Sequence, residues 1–313
     1  MKCIQMINYG HADILAFKEV SIPQIKSKEL LIRVKAVGIN PFDLKLMSGM
    51  FRSEIAQELP VVIGSDFSGE IVEIGDRVSL FKKGTKVYGS GVAFAGGSGS
   101  MAEYLRVSEE KVGLMPDNVN YATAATIVTP GCAAQQAVNR FLNVKPGQKI
   151  LIHGGAGAVG QLATQLCVNI GAEVAVTVGD KEIAFMKELG ADLIINYKLQ
   201  PFEQLVHQFD GVLDTQGGEV LARSYQVLKP GGILVSLVAK PDPTMLERYH
   251  IHGKFQSTEI TTKTLNTLSF LIEEKILRPQ KPQIVPFNQA INVINEKMMG
   301  TNSNKIVIQI AED

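Results

Sequence analysis

The sequence predicts an α/β protein of about two domains: a β-rich domain first, then a doubly wound parallel sheet, then a shorter stretch that leaves the parallel-sheet pattern. Three observations carry this. The 313 residues suffice for two hydrophobic cores at ~100 to 200 residues per domain. Short runs that read as strands and turns fill the first third, whereas strand-like and helix-like runs alternate from about residue 121. Between one of those strands and its helix lies HGGAGAVG, at 153–160, with four glycines in eight positions. The segments divide as 1–120, 121–255 and 256–313.

The clearest early strand covers 30–36, where Leu30, Ile32, Val34 and Ala36 alternate with Leu31, Arg33 and Lys35, burying one face and leaving the other mostly wet. PVVIG, GEIVEIG and KVYGSG add further strands, separated by Gly, Asp and Ser in the manner of an antiparallel, barrel-like domain. From 121 onward the order is a strand ending LNVKPGQKILIHG, a helix, EVAVTV, a helix to Leu189, DLIINY, GVLDTQ and GGILVSLVA. Such alternation implies a parallel sheet with right-handed crossovers. Past about 256 a helix carries Leu265, Leu268 and Ile272, another spans 291–298, and KIVIQI closes the chain as a strand.

Charge narrows the partners. The 31 basic and 31 acidic residues cancel, so no global field steers nucleic acid or an anionic membrane surface toward the protein, and a small molecule is the expected ligand. Cys3, Cys132 and Cys167 are scattered and form no C-x-x-C, which argues against a disulfide framework or a thiolate metal cage and fits a reducing compartment. The first residues, MKCIQMINYGHADIL, lack a secretory-signal pattern, and the expected location is cytoplasmic. Residues 150–172 carry no Asp, Glu, Lys or Arg, long enough by count to span a bilayer. His153, Gln161, Thr164, Gln165, Asn169 and the glycines within that span favour a soluble strand, turn and helix instead.

Gly155, Gly157 and Gly160, with Ala156, Ala158 and Val159 between them, satisfy G-x-G-x-x-G. The triplet follows a predicted strand at 149–152 and opens a helix whose apolar stripe falls at Val159, Leu162, Ala163, Leu166 and Ile170. That context is the Rossmann dinucleotide-binding arrangement, against the alternative of an ordinary glycine turn. The first glycine permits the tight turn, the second lets the backbone approach a pyrophosphate, and the third allows close helix packing, with free N–H groups facing the phosphates. An NAD site places Asp or Glu near the end of the second strand. Here that strand ends at Val178-Gly179, Asp180 lies slightly beyond, and Lys181 follows. A 2′-phosphate held by Lys181 and backbone near Gly179, with Tyr197 stacking or hydrogen-bonding beside it, favours NADP (NADPH); Asp180 argues for NAD. Asp180 and Lys181 also read simply as the start of the next helix.

VGINPFDLKLMSG (37–49), VIGSDFSGEIVEIG (62–75), HGGAGAVG, IINY, FDGVLDTQGG (209–218) and LKPGGILV (228–235) resemble, in this order, the medium-chain dehydrogenase/reductases, specifically their zinc-less quinone oxidoreductase branch. The resemblance implies a GroES-like β-rich substrate domain built from both ends of the chain, an inserted Rossmann domain, and an active site in the cleft separating them. It also implies a homodimer formed by pairing Rossmann sheet edges, around 251–258. Zinc-dependent cousins carry Cys where this chain has Asn40 and His-Glu where it has Ser65-Asp66, and a four-cysteine structural-zinc lobe that is missing here. Neither zinc ligand set can be assembled from these residues. His250-x-His252 offers two histidines on one strand face with no third partner, and reads as part of a dimer edge.

Reduction without a Lewis acid suits conjugated acceptors, because hydride addition to an enone or quinone spreads charge into an enolate or hydroquinone anion that a few donors stabilise. The resemblance places Asn40 and Asp43 of N-P-F-D near the nicotinamide and its ribose; a turn and helix cap is their alternative role. Tyr104 either faces the same cleft or packs between strands. Met47, Met101 and Ala133 stand where the family commonly has Arg, an aromatic and Thr, and no general acid is evident. The expected activity is NADPH-dependent, zinc-independent hydride transfer to a quinone or α,β-unsaturated carbonyl. A noncatalytic NADPH-binding sensor or structural protein, and a metal-dependent alcohol dehydrogenase, are the alternatives.

Overall fold

The computed structural model describes residues 1–10, 13–53 and 58–311. Two compact units result: Met1–Thr129 with Ile260–Glu273 and Pro279–Asp313, and Pro130–Glu259 with Glu274–Arg278.

The first unit begins with β1 (Lys2–Met6), β2 (Leu15–Glu19), β3 (Glu29–Gly38), the short helix α1 (Pro41–Met47), β4 (Val61–Val62) and β5 (Asp66–Ile74). Next come β6 (Lys86–Ser90), β7 (Tyr104–Ser108), β8 (Val112–Leu114) and α2 (Tyr121–Ala125). Residues 121–129 lie in this unit because α2 packs on its strands: Ser68 Oγ donates to Tyr121 O at 2.7 Å, and a Cβ on Gly38 would stand 2.2 Å from Ala125 O. β3 is flanked by two antiparallel partners, β5 and β7. That central place buries Leu31 along with Leu30, Ile32 and Val34, so only Arg33 on the polar side of the alternation is fully wet.

After α3 (Val128–Gln136), the second unit runs β9 (Lys149–His153), α4 (Ala158–Ile170), β10 (Glu173–Val178), α5 (Ile183–Glu188) and β11 (Leu193–Asn196). It continues with β12 (Phe209–Asp214), α6 (Gly218–Ser224), β13 (Leu228–Ser236), α7 (Pro243–Tyr249) and β14 (His252–Phe255). All six strands are parallel, in the order β11-β10-β9-β12-β13-β14. Renumbered within the unit this is 3-2-1-4-5-6, the doubly wound order whose switch point lies at the C-terminal end of β9. Leu151, Ala175, Ile195, Val212 and Leu234 pack with Leu221 and Tyr225 as a buried cluster. Residues 150–172 are divided between β9, a turn and α4, and among the described residues no helix is long and apolar enough to cross a membrane. His250 is not on a strand: it ends α7 in a left-handed conformation (φ 54°), because the chain must reverse there before β14.

The chain then returns to the first unit with α8 (Thr262–Glu273), β15 (Gln283–Pro286), α9 (Ala290–Met298) and β16 (Ile306–Gln309). β16 pairs antiparallel with the end of β3, extending its sheet to the order β15-β16-β3-β5-β6-β8, with β7 also on β3. A three-stranded sheet, β2-β1-β4, completes the unit. Ile32, Val34, Phe67, Ile71, Ile294 and Ile308 belong to its core.

Candidate functional site

In the second unit the glycine octet joins β9 to α4. Its left-handed residue is Gly154 (φ 69°), where a Cβ would lie 2.2 Å from Gln216 Nε2 and 2.6 Å from Thr215 Oγ1. The tight-turn role expected of Gly155 therefore belongs to Gly154, just outside the G-x-G-x-x-G pattern. Gly155 is needed for packing instead, since its Cβ would come within 2.7 Å of Val176 Cβ on β10. Gly160 closes the turn from the helix side, with a Cβ position 2.2 Å from Gly154 O. Gly157 differs: it is exposed, and an added Cβ would meet only Gly154 O, at 3.2 Å. Its outer side is open.

Gly157 caps α4 without a side chain, so the first-turn amides of Ala158, Val159 and Gly160 have no intrahelical acceptor. Free amides beside an open glycine at a helix N-terminus fit a pyrophosphate. Ala156 is half-buried within the same turn.

A buried polar network fixes this turn. The Gly154 and Gly155 N–H groups donate to Thr177 Oγ1 (3.3 Å) and Thr177 O (3.0 Å). His153, fully buried, has Nδ1 3.1 Å from Thr177 Oγ1 and Nε2 3.0 Å from Ser224 Oγ. Ser224 spends its hydroxyl proton on Val220 O, so Nε2 must be the protonated nitrogen and Nδ1 the acceptor from Thr177. Burial pushes the imidazole down to about 4, although Asp214 pulls the other way; it is neutral at pH 7.

Gly179, Lys181 and Tyr197 lie at the C-terminal ends of β10 and β11. A Cβ on Gly179 would be 3.9 Å from the Tyr197 hydroxyl, so these two residues are neighbours. Lys181 is exposed in the single turn Asp180–Glu182. Two residues that the sequence reading passed over engage Asp180: Asn196 Nδ2 donates to its carboxylate, and Lys198 Nζ stands 3.8 Å away. The only sequence signal for Lys198 is its place directly after Tyr197.

Asn40 and Asp43 lie in the first unit, at the start of α1. The Asp43 carboxylate accepts the Asn40 N–H at 2.8 Å, which makes both the helix-cap role and a site role compatible. Asn40 then bridges two charges: its Nδ2 donates to Asp66 Oδ2 at 2.7 Å, and its Oδ1 accepts from Lys305 Nζ at 2.7 Å. Asp66 also receives the Thr129 N–H (2.9 Å) and Oγ1–H (2.6 Å), while Lys305 donates to Ile39 O (3.0 Å). Asp43, Asp66 and Lys305 are all buried. Burial, then the Asp66 charge, push Asp43 up to about 7. Burial also raises Asp66, opposed by Lys305 and the Thr129 and Asn40 donors, and lowers Lys305, opposed by both carboxylates.

Lys305 is marked in the chain only as a lysine opening an apolar strand. Tyr104 is not part of this group. It is registered opposite Arg33, five residues before the end of β3, or roughly 17 Å at ~3.3 Å per residue.

Asp43 lines a recess of about 20 Å³ in the same unit, walled otherwise, among the described residues, by apolar and small ones including Phe42, Leu46, Met47, Val61 and Val92. Phe42 contacts Phe51 and Phe94, with ring centroids 5.9 and 6.1 Å apart.

A GroES-like unit joined to a doubly wound dinucleotide-binding unit defines an alcohol-dehydrogenase-type oxidoreductase class. Residues 26–117 match the family described as alcohol dehydrogenase GroES-like domain, and residues 158–272 the family described as zinc-binding dehydrogenase. A quinone-oxidoreductase homolog of spinach chloroplasts is 30% identical, over 96% of this chain and 89% of its own. The quinone oxidoreductase structure from Coxiella burnetii superposes with a TM-score of 0.90 at 31% identity, covering 99% of both chains. The 2-methylene-furan-3-one reductase of tomato is 36% identical over 78% of this chain, which spans 63% of that relative. This chain belongs to the quinone-oxidoreductase-like medium-chain dehydrogenase/reductases.

The residues do not fit the zinc that the second family description implies. Asn40 and Ser65 are poor zinc donors, and the Lys305 ammonium, hydrogen-bonded to Asn40, repels a cation. Among the described residues no three His, Cys, Asp or Glu side chains group as metal ligands.

Proposed function

We propose that the protein is an NADPH-dependent, zinc-independent oxidoreductase that delivers hydride to a quinone or an α,β-unsaturated carbonyl. The observation that carries this reading is the buried Asn40–Asp66–Lys305 group. It puts an internal cation where a zinc-type site would need ligands, which suits acceptors whose developing charge needs no Lewis acid. Bound NADPH supplies the hydride. Gly157 and the first-turn amides of α4 would hold its pyrophosphate, and the His153–Thr177 pair keeps that turn rigid. Lys181 and Lys198, beside Gly179 and Tyr197, are the cations available to a 2′-phosphate, and the engagement of Asp180 by Asn196 and Lys198 weakens its claim on a ribose hydroxyl.

Asn40 and Asp43 would hydrogen-bond the acceptor or the nicotinamide ribose; Tyr104 stands apart from them and takes a packing role. The open outer edge of β14 supports a homodimer paired through that strand. Cys3, Cys132 and Cys167 are buried and scattered along the chain with no C-x-x-C, which suits a reducing compartment such as the cytoplasm.

The test is NADPH oxidation by purified protein with small quinones, enones and plain ketones. Turnover of the first two and not the third is expected. Tight NADPH binding with no turnover on the whole panel would make the protein a noncatalytic binder, and ketone reduction that responds to added or chelated metal would make it a metal-dependent alcohol dehydrogenase.

A further inference from the structure

We propose that Asp43 is the acid that protonates the reduced acceptor, its proton held in place by charge balance with Asp66 and Lys305; this rests on the hydride-transfer reading above.

Charge balance supplies the first reason. Two carboxyls and one ammonium are buried together, and their neutral state holds one proton on a carboxyl, because an uncompensated net charge in so dry a place is strongly disfavoured. The two carboxyls are not equivalent. Asp66 accepts three donors, from Thr129 N, Thr129 Oγ1 and Asn40 Nδ2, and is tied through Asn40 to the Lys305 ammonium. Burial raises Asp66 as well, but these donors and the ammonium oppose that push and favour its ionised form. Asp43 receives the Asn40 N–H and the Ser65 hydroxyl, and faces the Asp66 charge. The proton therefore belongs to Asp43, in agreement with the upward push to about 7. The charged groups acting on it are Asp66 from β5 and Lys305 from the segment before β16; Lys297 of α9 acts in turn on Lys305.

Position supplies the second reason. Among the described residues, Asp43 is the one ionisable side chain lining the recess beside Phe42, and the other walls are apolar or small. At about 20 Å³ the recess holds a water or a carbonyl oxygen, not a ring. An acceptor carbonyl there would meet one strong donor among hydrocarbon.

For an enone the step balances as follows. The hydride that bound NADPH would supply, with its C–H bond broken and NADP⁺ left behind, forms a C–H bond at the β-carbon; the C=C pair shifts to form the enolate double bond, and the C=O pair moves to oxygen. The Asp43 O–H bond breaks and its proton forms the enol O–H. The enol leaves and ketonises in water, and the Asp43 carboxylate recovers a proton from solvent.

Two measurements test this on the full chain: carboxyl-carbon NMR of protein labelled at aspartate, which needs no turnover, and the pH profile of kcat with an enone. The expected spectrum contains one aspartate titrating near neutrality that disappears in Asp43→Asn. The same titration moves to higher pH in Lys305→Met and to lower pH in Asp66→Asn, and the basic limb of kcat follows it in both. A merely structural role would not produce opposite shifts. Asp43→Asn, checked by thermal melting, should lower kcat roughly a hundredfold or more, within the usual range for a positioned acid. An active wild type whose kcat ignores that titration, or an Asp43→Asn variant with undiminished kcat, overturns the acid role alone. A wild type that titrates as expected and oxidises no NADPH overturns the hydride-transfer reading and the acid role together.

Discussion

The same substitution at two glycines of one turn should separate folding from cofactor binding. At Gly160 an added methyl carbon would stand 2.2 Å from Gly154 O and 2.8 Å from Gly155 Cα, and both obstacles are backbone. Relief needs the helix to move off the strand, so Gly160→Ala should cost about 1–3 kcal/mol as overpacking does, lowering Tm by roughly 2–12 °C at ~2–4 °C per kcal/mol. At Gly157 the backbone is extended (φ −67°, ψ 166°), a conformation open to any residue, and the one contact is a carbonyl at 3.2 Å. Gly157→Ala should therefore cost about 1 kcal/mol or less, the scale of exchanging an N-cap residue. Its methyl, however, fills the open side of the cradle. Losing one or two charge-assisted hydrogen bonds of about 1.5–3 kcal/mol each raises the NADPH Kd by roughly 10- to 20,000-fold. Thermal melting and fluorescence titration with NADPH read the two effects. A Gly157→Ala protein that melts like wild type and also binds NADPH with wild-type affinity would refute the assignment of this turn to the pyrophosphate.

Three further outcomes follow from the charges. His153 has a folded value of about 4 against an ordinary 6.5, so between those pH values the unfolded chain binds a proton that the folded chain refuses. Stability should fall by about 3 kcal/mol as pH drops across that window, and urea unfolding of wild type and His153→Gln should show the slope only in the former. Asp43 has the opposite sign: its folded value is raised from 3.8 to about 7, so its stabilising share is complete below 3.8 and is lost as pH rises through 7. Asp43→Asn should accordingly gain on wild type in denaturation midpoint at pH 8 and not at pH 4. Lys198→Ala removes a half-exposed ion pair of little consequence for stability, but should raise the Kd for NADPH more than that for NADH; equal changes would remove Lys198 from the phosphate site.

What the sequence discloses and what it hides divide along range of interaction. Strand and helix patterns such as EVAVTV and the Leu265, Leu268, Ile272 stripe depend on neighbours a few residues away, and the structure forms β10 and α8 there. The glycine octet is likewise local, and it marks the turn. Its inner assignment was not legible, because G-x-G-x-x-G counts spacing, whereas Gly154 combines a left-handed φ with the close approach of Thr215 and Gln216, some sixty residues on. Range also hides the buried cluster. Asn40 and Asp43 could be singled out from N-P-F-D, but Lys305 meets them only because β16 pairs with the end of β3. Without that pairing nothing identifies Lys305 as more than a charge before a strand.

The charge balance also makes a prediction about stability that hydrogen-bond counting would not. Lys305→Met removes the ammonium and leaves the Asp66 carboxylate buried without a cation, which should cost about 3–5 kcal/mol, as breaking buried pairs does. Adding Asp66→Asn on top removes a further set of native contacts, so independent sites would make the double variant worse still. If the charges are coupled through Asn40, the second substitution instead removes the stranded charge and recovers most of the loss. Asp66→Asn alone should be the milder single change, because Asp43 can release its proton and pair with Lys305. Chemical denaturation of the two single variants and the double variant at pH 7 measures the cycle. Additive losses would mean that Lys305 and Asp66 act separately, and the single shared proton on which the Asp43 assignment depends would have no physical basis.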